Sequence, residues 1–228
     1  MLAQPAIDTR LHPLTAIRAV RSLMANPGDT RQIFVIFRAM RGRSGVKSFQ
    51  RFCASPVGQA VLAERRVLLD VLSDRAALSR LPEGSMGRAY FEFMEAENLS
   101  ADGLVQASQD RDAEPLPPDV SLFLERMRDA HDLTHILTGY GRDPLGELCL
   151  LAFMYQHSKN LGQALIVAMS WPRLPKAARA AVREAWRNGK KSELFQNQDY
   201  EALLARPLDK VRRELGILDP GLYRAVIS

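Results

Sequence analysis

Along most of the chain, apolar positions recur at the three- and four-residue spacing of helix faces, while the two-residue alternation of half-buried strands is almost absent. The exception, IFVIF from Ile33 to Phe37, is flanked by helix-compatible sequence. Proline and glycine punctuate the pattern at NPGD near residue 27, RGRSG near 43, SPVG near 56, LPEGSMG near 84, AEPLPPD near 116, TGYGRDP near 141, WPRLP near 173 and LDPG near 220. The segments between these breaks have helix length. The pattern predicts an all-α fold, a single-domain multi-helix bundle over 1–228, with N-terminal helices over about 1–80 and a second group over about 81–228. No internal repeat or long linker divides it, and residues 100–117 read as an extended surface connection.

One segment carries unusual polar residues on an apolar stripe. PPDVSLFLERMRDAHDLTHILTGYG reads as one helix, with Asp119 as N-cap and Gly139 as its C-terminal stop. Val120, Phe123, Leu124, Met127, Thr134 and Leu137 share a face, and His131 follows Met127 by one turn, so His131 and His135 are expected to point inward. Asp132 lies at the edge of that sector, and at about 100° per residue the three side chains span an arc of roughly 100°. A second helix is expected to start at Asp143 with Pro144 in its first turn, which places Glu147 near a helix start. The short GYGRD connection would fold this turn back beside the first helix, and Gly146 would allow a close backbone approach.

Two imidazoles and two carboxylates in one inward sector are costly to bury unless something neutralises the acids, and a divalent cation does so. Histidine and carboxylate ligands suit zinc, and two histidines with a carboxylate also hold iron(II). A closed structural zinc site usually relies on cysteine, and neither Cys53 nor Cys149 lies in the motif; both read as buried free thiols, which fits a reducing compartment. The spacing is that of an HExxH metalloprotease, but Asp132 stands where the basic Glu would be, so a protease is disfavoured.

Composition narrows the partners. The net charge of +5 and pI near 9.5 allow an acidic partner without naming it, and the basic residues gather partly in Arg38, Arg41, Arg43, Lys47 and Arg51 and again in Arg183, Arg187, Lys190 and Lys191. With no recognition motif and few interleaved aromatics, nucleic acid ranks below an anionic membrane surface, contacted through the Arg38 to Arg51 cluster. The apolar runs LCLLAFMY and ALIVAM are shorter than the roughly 20 residues that span a bilayer. The N-terminal MLAQPAIDTR resembles neither a secretory signal nor a transit peptide, so a bacterial cytoplasmic protein, peripheral on the inner membrane, is the expectation.

Taken together, LPEGSMGRAYFEFM, RMRDAHDLTHILTGYGRDPLGE and AWRNGKKSELFQNQDYEALLARPLDKVRRELGI resemble the ubiquinone-biosynthesis family known as coenzyme Q biosynthesis protein 4, over roughly residues 80–220. The resemblance implies an all-helical protein that binds zinc through His131, Asp132, His135 and Glu147. It further implies action at C1 of a polyprenylated 4-hydroxybenzoate ring, by decarboxylation that is oxidative in some members. Asp132 or Glu147 would then serve as acid or base. Arg126 and Arg128 match family arginines and are candidates to hold the substrate carboxylate, or else surface residues paired with Glu125 and Asp129. The eukaryotic pattern carries a Lys and a Glu in the turns after the Gly-Glu pair, whereas this chain has Leu151 and Met154, an apolar wall suited to a polyprenyl tail. Other ubiquinone-biosynthesis enzymes and a second copy of the chain are the implied protein partners. Two alternatives remain at this stage: a non-catalytic lipid-binding scaffold, and an HD-type phosphohydrolase that would need His12 or His157 as a further ligand.

Overall fold

A computed structural model of the 228-residue chain describes residues 9–26, 28–99 and 116–228. Among these residues fifteen α-helices and two 3-10 turns form one helical domain without strands, as the apolar periodicity predicts. The connection expected over residues 100–117 lies, apart from its last two residues, outside the described residues.

The N-terminal helices are α1 (Pro13–Ala25), α2 (Arg31–Ala39), α3 (Gly42–Ala54), α4 (Pro56–Glu64), α5 (Leu68–Ser73) and α6 (Arg75–Ser79). IFVIF is helical within α2 and buries Ile36 against α1 and the core. There follow α7 (Met86–Ala96), α8 (Pro118–Asp129), α9 (His131–Thr138), α10 (Pro144–Ser158), α11 (Leu161–Ser170), α12 (Lys176–Lys191), α13 (Tyr200–Leu203), α14 (Leu208–Glu214) and α15 (Gly221–Ile227). At the centre is α10, whose sequence is apolar on nearly every side; such a helix is stable when neighbours cover it all round, and α9, α11 and α12 do so. Leu133, Leu137, Tyr140, Cys149, Phe153, Ala181, Ala185 and Phe195 close the main core, while Phe52, Val61, Leu122 and Phe123 make a smaller one where α3, α4 and α8 meet.

Two expectations are corrected. The segment from Asp119 to Gly139 is two helices, because Ala130 takes ψ −4° and ends α8; Asp119 lies in the first turn of α8, after Pro117. Threonine hydroxyls compete for the carbonyls that follow, Thr134 Oγ1 donating to His131 O and Thr138 Oγ1 to Thr134 O, a pattern that bends helices. Of the two free thiols, Cys149 is buried and burial pushes its pKa up to about 12, but Cys53 is only half-buried.

His157 is buried at the end of α10, where Nδ1 accepts from Phe195 N–H and Nε2 lies 3.1 Å from Ser192 Oγ. Burial first, then the charges of Lys159 and Arg51, depress its pKa from 6.5 to about 4 despite a raising backbone hydrogen bond. The folded chain therefore refuses a proton that the unfolded chain accepts. The His157 contribution is fully present above pH 6.5 and is lost at about 1.4 kcal/mol per unit below it, a loss of about 3 kcal/mol near pH 4. Urea titrations at several pH values should show the native chain losing more stability below pH 6.5 than His157→Gln, which keeps an acceptor for Phe195, by about one proton's worth of slope.

Candidate metal centre

The site forms where α9 meets the first turn of α10. Gly139 ends α9 in the left-handed conformation (φ 74°), with its N–H on His135 O, and Arg212 of α14 donates to the last carbonyls, Ile136 O (2.7 Å) and Leu137 O (3.1 Å). Asp143 caps α10, its Oδ1 accepting from Leu145 N and Gly146 N at 3.0 Å each, with Pro144 in the first turn as expected. A Cβ on Gly146 would collide with Gly141 O, so a glycine there lets the loop close directly on the helix start. Tyr223 of α15 locks this loop: its hydroxyl accepts from Gly141 N (2.8 Å) and donates to Asp143 Oδ2.

That framework delivers Glu147 to the two histidines. The His131 and His135 rings lie 4.8 Å apart at 71°. His135 Nδ1 is 2.9 Å from Tyr140 O, and since a carbonyl only accepts, Nδ1 carries the hydrogen and Nε2 is left with a lone pair in the neutral ring. His131 Nδ1 likewise faces Asp132 Oδ1 at 3.2 Å. Both Nε2 atoms then look toward Glu147, at 3.5 Å from His135 and 4.0 Å from His131. His135 Nε2 is buried without a hydrogen-bond partner. Two ligand atoms on one tetrahedral zinc ion stand about 3.3 Å apart, so these separations are close to those of a filled site.

The side chains of His135 and Asp132 are 0% and 11% exposed, whereas those of His131 and Glu147 are 37% and 38% exposed, so the cluster is walled by protein on one side and open on the other. Burial works against charge on His135, but Glu147, the Tyr140 carbonyl and Asp132 outweigh it and raise its pKa above the usual value. A cation taking Nε2 must displace that proton. Burial likewise opposes ionisation of Asp132, yet the His131 hydrogen bond and the charges of His131, His135 and Arg142 hold it below the usual carboxylate range.

Two ligand sets can be drawn. Ligand atoms of His131, Asp132 and His135 lie within 4.8 Å of one another. The second set, His131, His135 and Glu147, uses the Nε2 atoms that face Glu147, while Asp132 Oδ1 lies on His131 Nδ1, across the ring from Nε2.

The predicted arginines are elsewhere occupied. Arg126 is fully buried, and its guanidinium grips both oxygens of Glu201 at 2.6 Å, touches Gln198 O and lies over the Tyr200 ring; it is neither open to a substrate nor a surface residue paired with Glu125. Arg128 pairs with Asp129. Among side chains the motif did not single out, Arg142 acts electrostatically on Asp132 from the connecting loop, Phe93 stacks on His135, and the charge of Asp132 helps burial raise the Tyr90 phenol. Their local sequence carries no ligand spacing. Tyr223, 76 residues beyond Glu147, could not have been placed from spacing either. His157 has both ring nitrogens engaged outside the cluster.

If Tyr223 sets the position of Glu147 through Asp143 and Gly141, Tyr223→Phe should leave the chain folded and weaken zinc binding by less than the roughly 10- to 100-fold typical of a residue bonded directly to a ligand. Competition against a chromogenic chelator reads this directly.

Fold and site together define the class: an all-helical protein with an open histidine–carboxylate cluster between two consecutive helices. The chain belongs to the family described as Coenzyme Q (ubiquinone) biosynthesis protein Coq4, whose profile matches residues 12–221. The bovine (Bos taurus) mitochondrial ubiquinone biosynthesis protein COQ4 homolog is 32% identical over 182 residues, covering 73% of this chain and 63% of the relative. The zebrafish (Danio rerio) homolog is 29% identical over 237 residues, covering 96% and 85%. The crystal structure of a candidate ubiquinone biosynthesis protein from Nostoc punctiforme PCC 73102 shares the fold, with a TM-score of 0.64 at 20% identity over 91% of this chain and 99% of that one. The curated relatives are named as mitochondrial, which overturns the expectation of a bacterial cytoplasmic protein. Among the described residues, no helix is long and apolar enough to cross a membrane.

Proposed function

We propose that the chain acts in ubiquinone biosynthesis as a metal-dependent decarboxylase of a polyprenylated 4-hydroxybenzoate-type precursor. The observation that carries this reading is the convergence of two imidazole nitrogens on one carboxylate, with the buried Nε2 of His135 at 3.5 Å and Nε2 of His131 at 4.0 Å from Glu147 and no hydrogen bond closing the His135 contact. His131, His135 and Glu147 would hold the ion, zinc by donor type with iron(II) the other divalent candidate, and Asp132 would orient His131. Bound there, the ion supplies Lewis acidity toward a carboxylate or phenolate oxygen of the substrate.

The chain's own residues do the rest. In the simple reaction the bond from C1 to the carboxyl group breaks, its electron pair stays on the ring, a proton takes its place and CO2 leaves. Asp132, held ionised, is a poor donor for that proton; Glu147, half-exposed on the open side, would have to swing off the ion to carry it. Arg142, in the connecting loop near Asp132 and paired with Glu97 at 3.7 Å on an exposed face, would be the arginine to meet a substrate carboxylate. Leu151 and Met154, one and two turns beyond Glu147 and half-buried, continue its helix face as an apolar wall for the prenyl tail. Its protein partners would be the other ubiquinone-biosynthesis enzymes and a second copy of the chain.

A lipid-binding scaffold would use the same wall without turnover. The test is CO2 release from a polyprenylated 4-hydroxybenzoate labelled at the carboxyl carbon, with metal-loaded chain. Release that His135→Ala and Glu147→Gln abolish supports the lyase, and product mass distinguishes hydrogen from hydroxyl at C1. Tight substrate binding with no release establishes the scaffold.

A further inference from the structure

Arg51 of the first basic segment and Lys190 of the second, far apart in sequence, meet at one corner of the fold. Arg51 of α3 donates to His157 O at the end of α10, and Lys159, which ends that helix, lies over the Tyr155 ring. Burial lowers the Lys159 pKa, and the charges of Arg51 and Lys190 lower it further, which brings both segments to the same corner. From there Lys190, Arg187 and Arg183 run along α12 at helical spacing, all exposed. Among the described residues, none of Arg183, Arg187, Lys190 and Lys191 is in an ion pair, and the nearby acid on α12, Glu184, is taken up by Leu222 N.

Beside this stripe lies an apolar depression between α10, α11 and α12, lined by Tyr155, Val167, Trp171 and Trp186 with alanines between them. Trp186 is 43% exposed and stacks on Tyr155, and the Arg183 and Arg179 guanidiniums sit over Trp171. Leu161, at the start of α11, is also exposed. Aromatic rings bordered by unneutralised cations are suited to a surface whose interior is apolar and whose rim is anionic.

We infer that this face docks the protein on an anionic lipid bilayer, Trp186 and Trp171 entering the headgroup boundary while Arg183, Arg187 and Lys190 meet lipid phosphates. The charge complementarity singles out a bilayer over a second copy, since an identical face would set the same cations against each other. The docking relocates the membrane contact from the Arg38 to Arg51 segment, which contributes Arg51 at the corner, and it does not depend on whether the metal centre turns over.

The chain has two tryptophans, both on this face, so intrinsic fluorescence reports on it alone. With phosphatidylglycerol–phosphatidylcholine vesicles carrying brominated acyl chains, Trp186 emission of the Trp171→Phe chain should be quenched. The quenching should fade as salt screens the charges and be absent with pure phosphatidylcholine. Replacing Arg183, Arg187 and Lys190 together by Gln should lower vesicle binding by about 100-fold, from roughly 5-fold per cation. These substitutions are on exposed positions, and unchanged circular dichroism will show that the fold survives. Binding without quenching, binding unaffected by the triple change, or no binding at low salt would each overturn the proposal. So would a dimer whose formation shields Trp186.

Discussion

His135→Ala is expected to abolish stoichiometric metal binding, with a loss of affinity well beyond the roughly 10- to 100-fold typical of supporting residues. Its Nε2 is buried and unpartnered, and its Nδ1 is fixed on Tyr140 O, so no rotation of a neighbour can replace that lone pair. His131→Ala should behave alike, while Glu147→Gln should lower metal content and keep overall helicity, because Glu147 is half-exposed at the start of an otherwise well-packed helix. Asp132→Asn should retain the metal, since an amide oxygen can still accept from His131 Nδ1. Melting curves give a second reading. Added zinc should raise the melting temperature of the native chain and of Asp132→Asn, because a ligand that binds only the folded state stabilises it, and should leave His135→Ala where it was. Metal analysis after gel filtration checks the series.

The second large effect is on stability. Arg126→Met should cost about 3–5 kcal/mol, the range found when one partner of a buried ion pair is removed and the other charge is stranded. Here the stranded group is Glu201, whose two oxygens are both held by the guanidinium at 2.6 Å with side-chain exposures of 0% and 17%. For a chain of this size that corresponds to a fall in melting temperature of roughly 6–20 °C. The double variant Arg126→Met with Glu201→Leu should recover most of the loss, because a well-packed apolar pair can replace a buried ionic one. Zinc affinity of the folded Arg126→Met chain should be unchanged. Calorimetry and chelator competition on the same samples separate this structural role from the substrate-binding role that the sequence suggested.

The contrast between His135 and Arg126 shows what the sequence could reveal. The two histidines, Asp132 and Glu147 were legible because they sit within seventeen residues, where helix geometry and one short turn decide which side chains meet. The Asp143 cap, the Gly139 stop and the close approach at Gly146 were legible for the same local reason. Arg126 was misread because its partner lies 75 residues away on α13, a distance over which only tertiary packing speaks. The same holds for Tyr223 on Asp143 and for the meeting of Arg51, Lys159 and Lys190. The break at Ala130 escaped because no proline or glycine marks it; the alanine simply takes a ψ near 0°. Half-exposure of His131 follows from that break, since projecting one continuous helix turned both histidines inward.

The most direct test of the central claim, a metal held by His131, His135 and a carboxylate, is zinc K-edge X-ray absorption of the chain loaded with one equivalent of zinc. The account predicts a low-coordinate shell with distances of about 2.0–2.1 Å and the outer-shell scattering of two imidazoles, reduced to one ring or lost in His135→Ala. A shell of oxygens alone with no imidazole signature, or a spectrum that His135→Ala leaves unchanged, would contradict it.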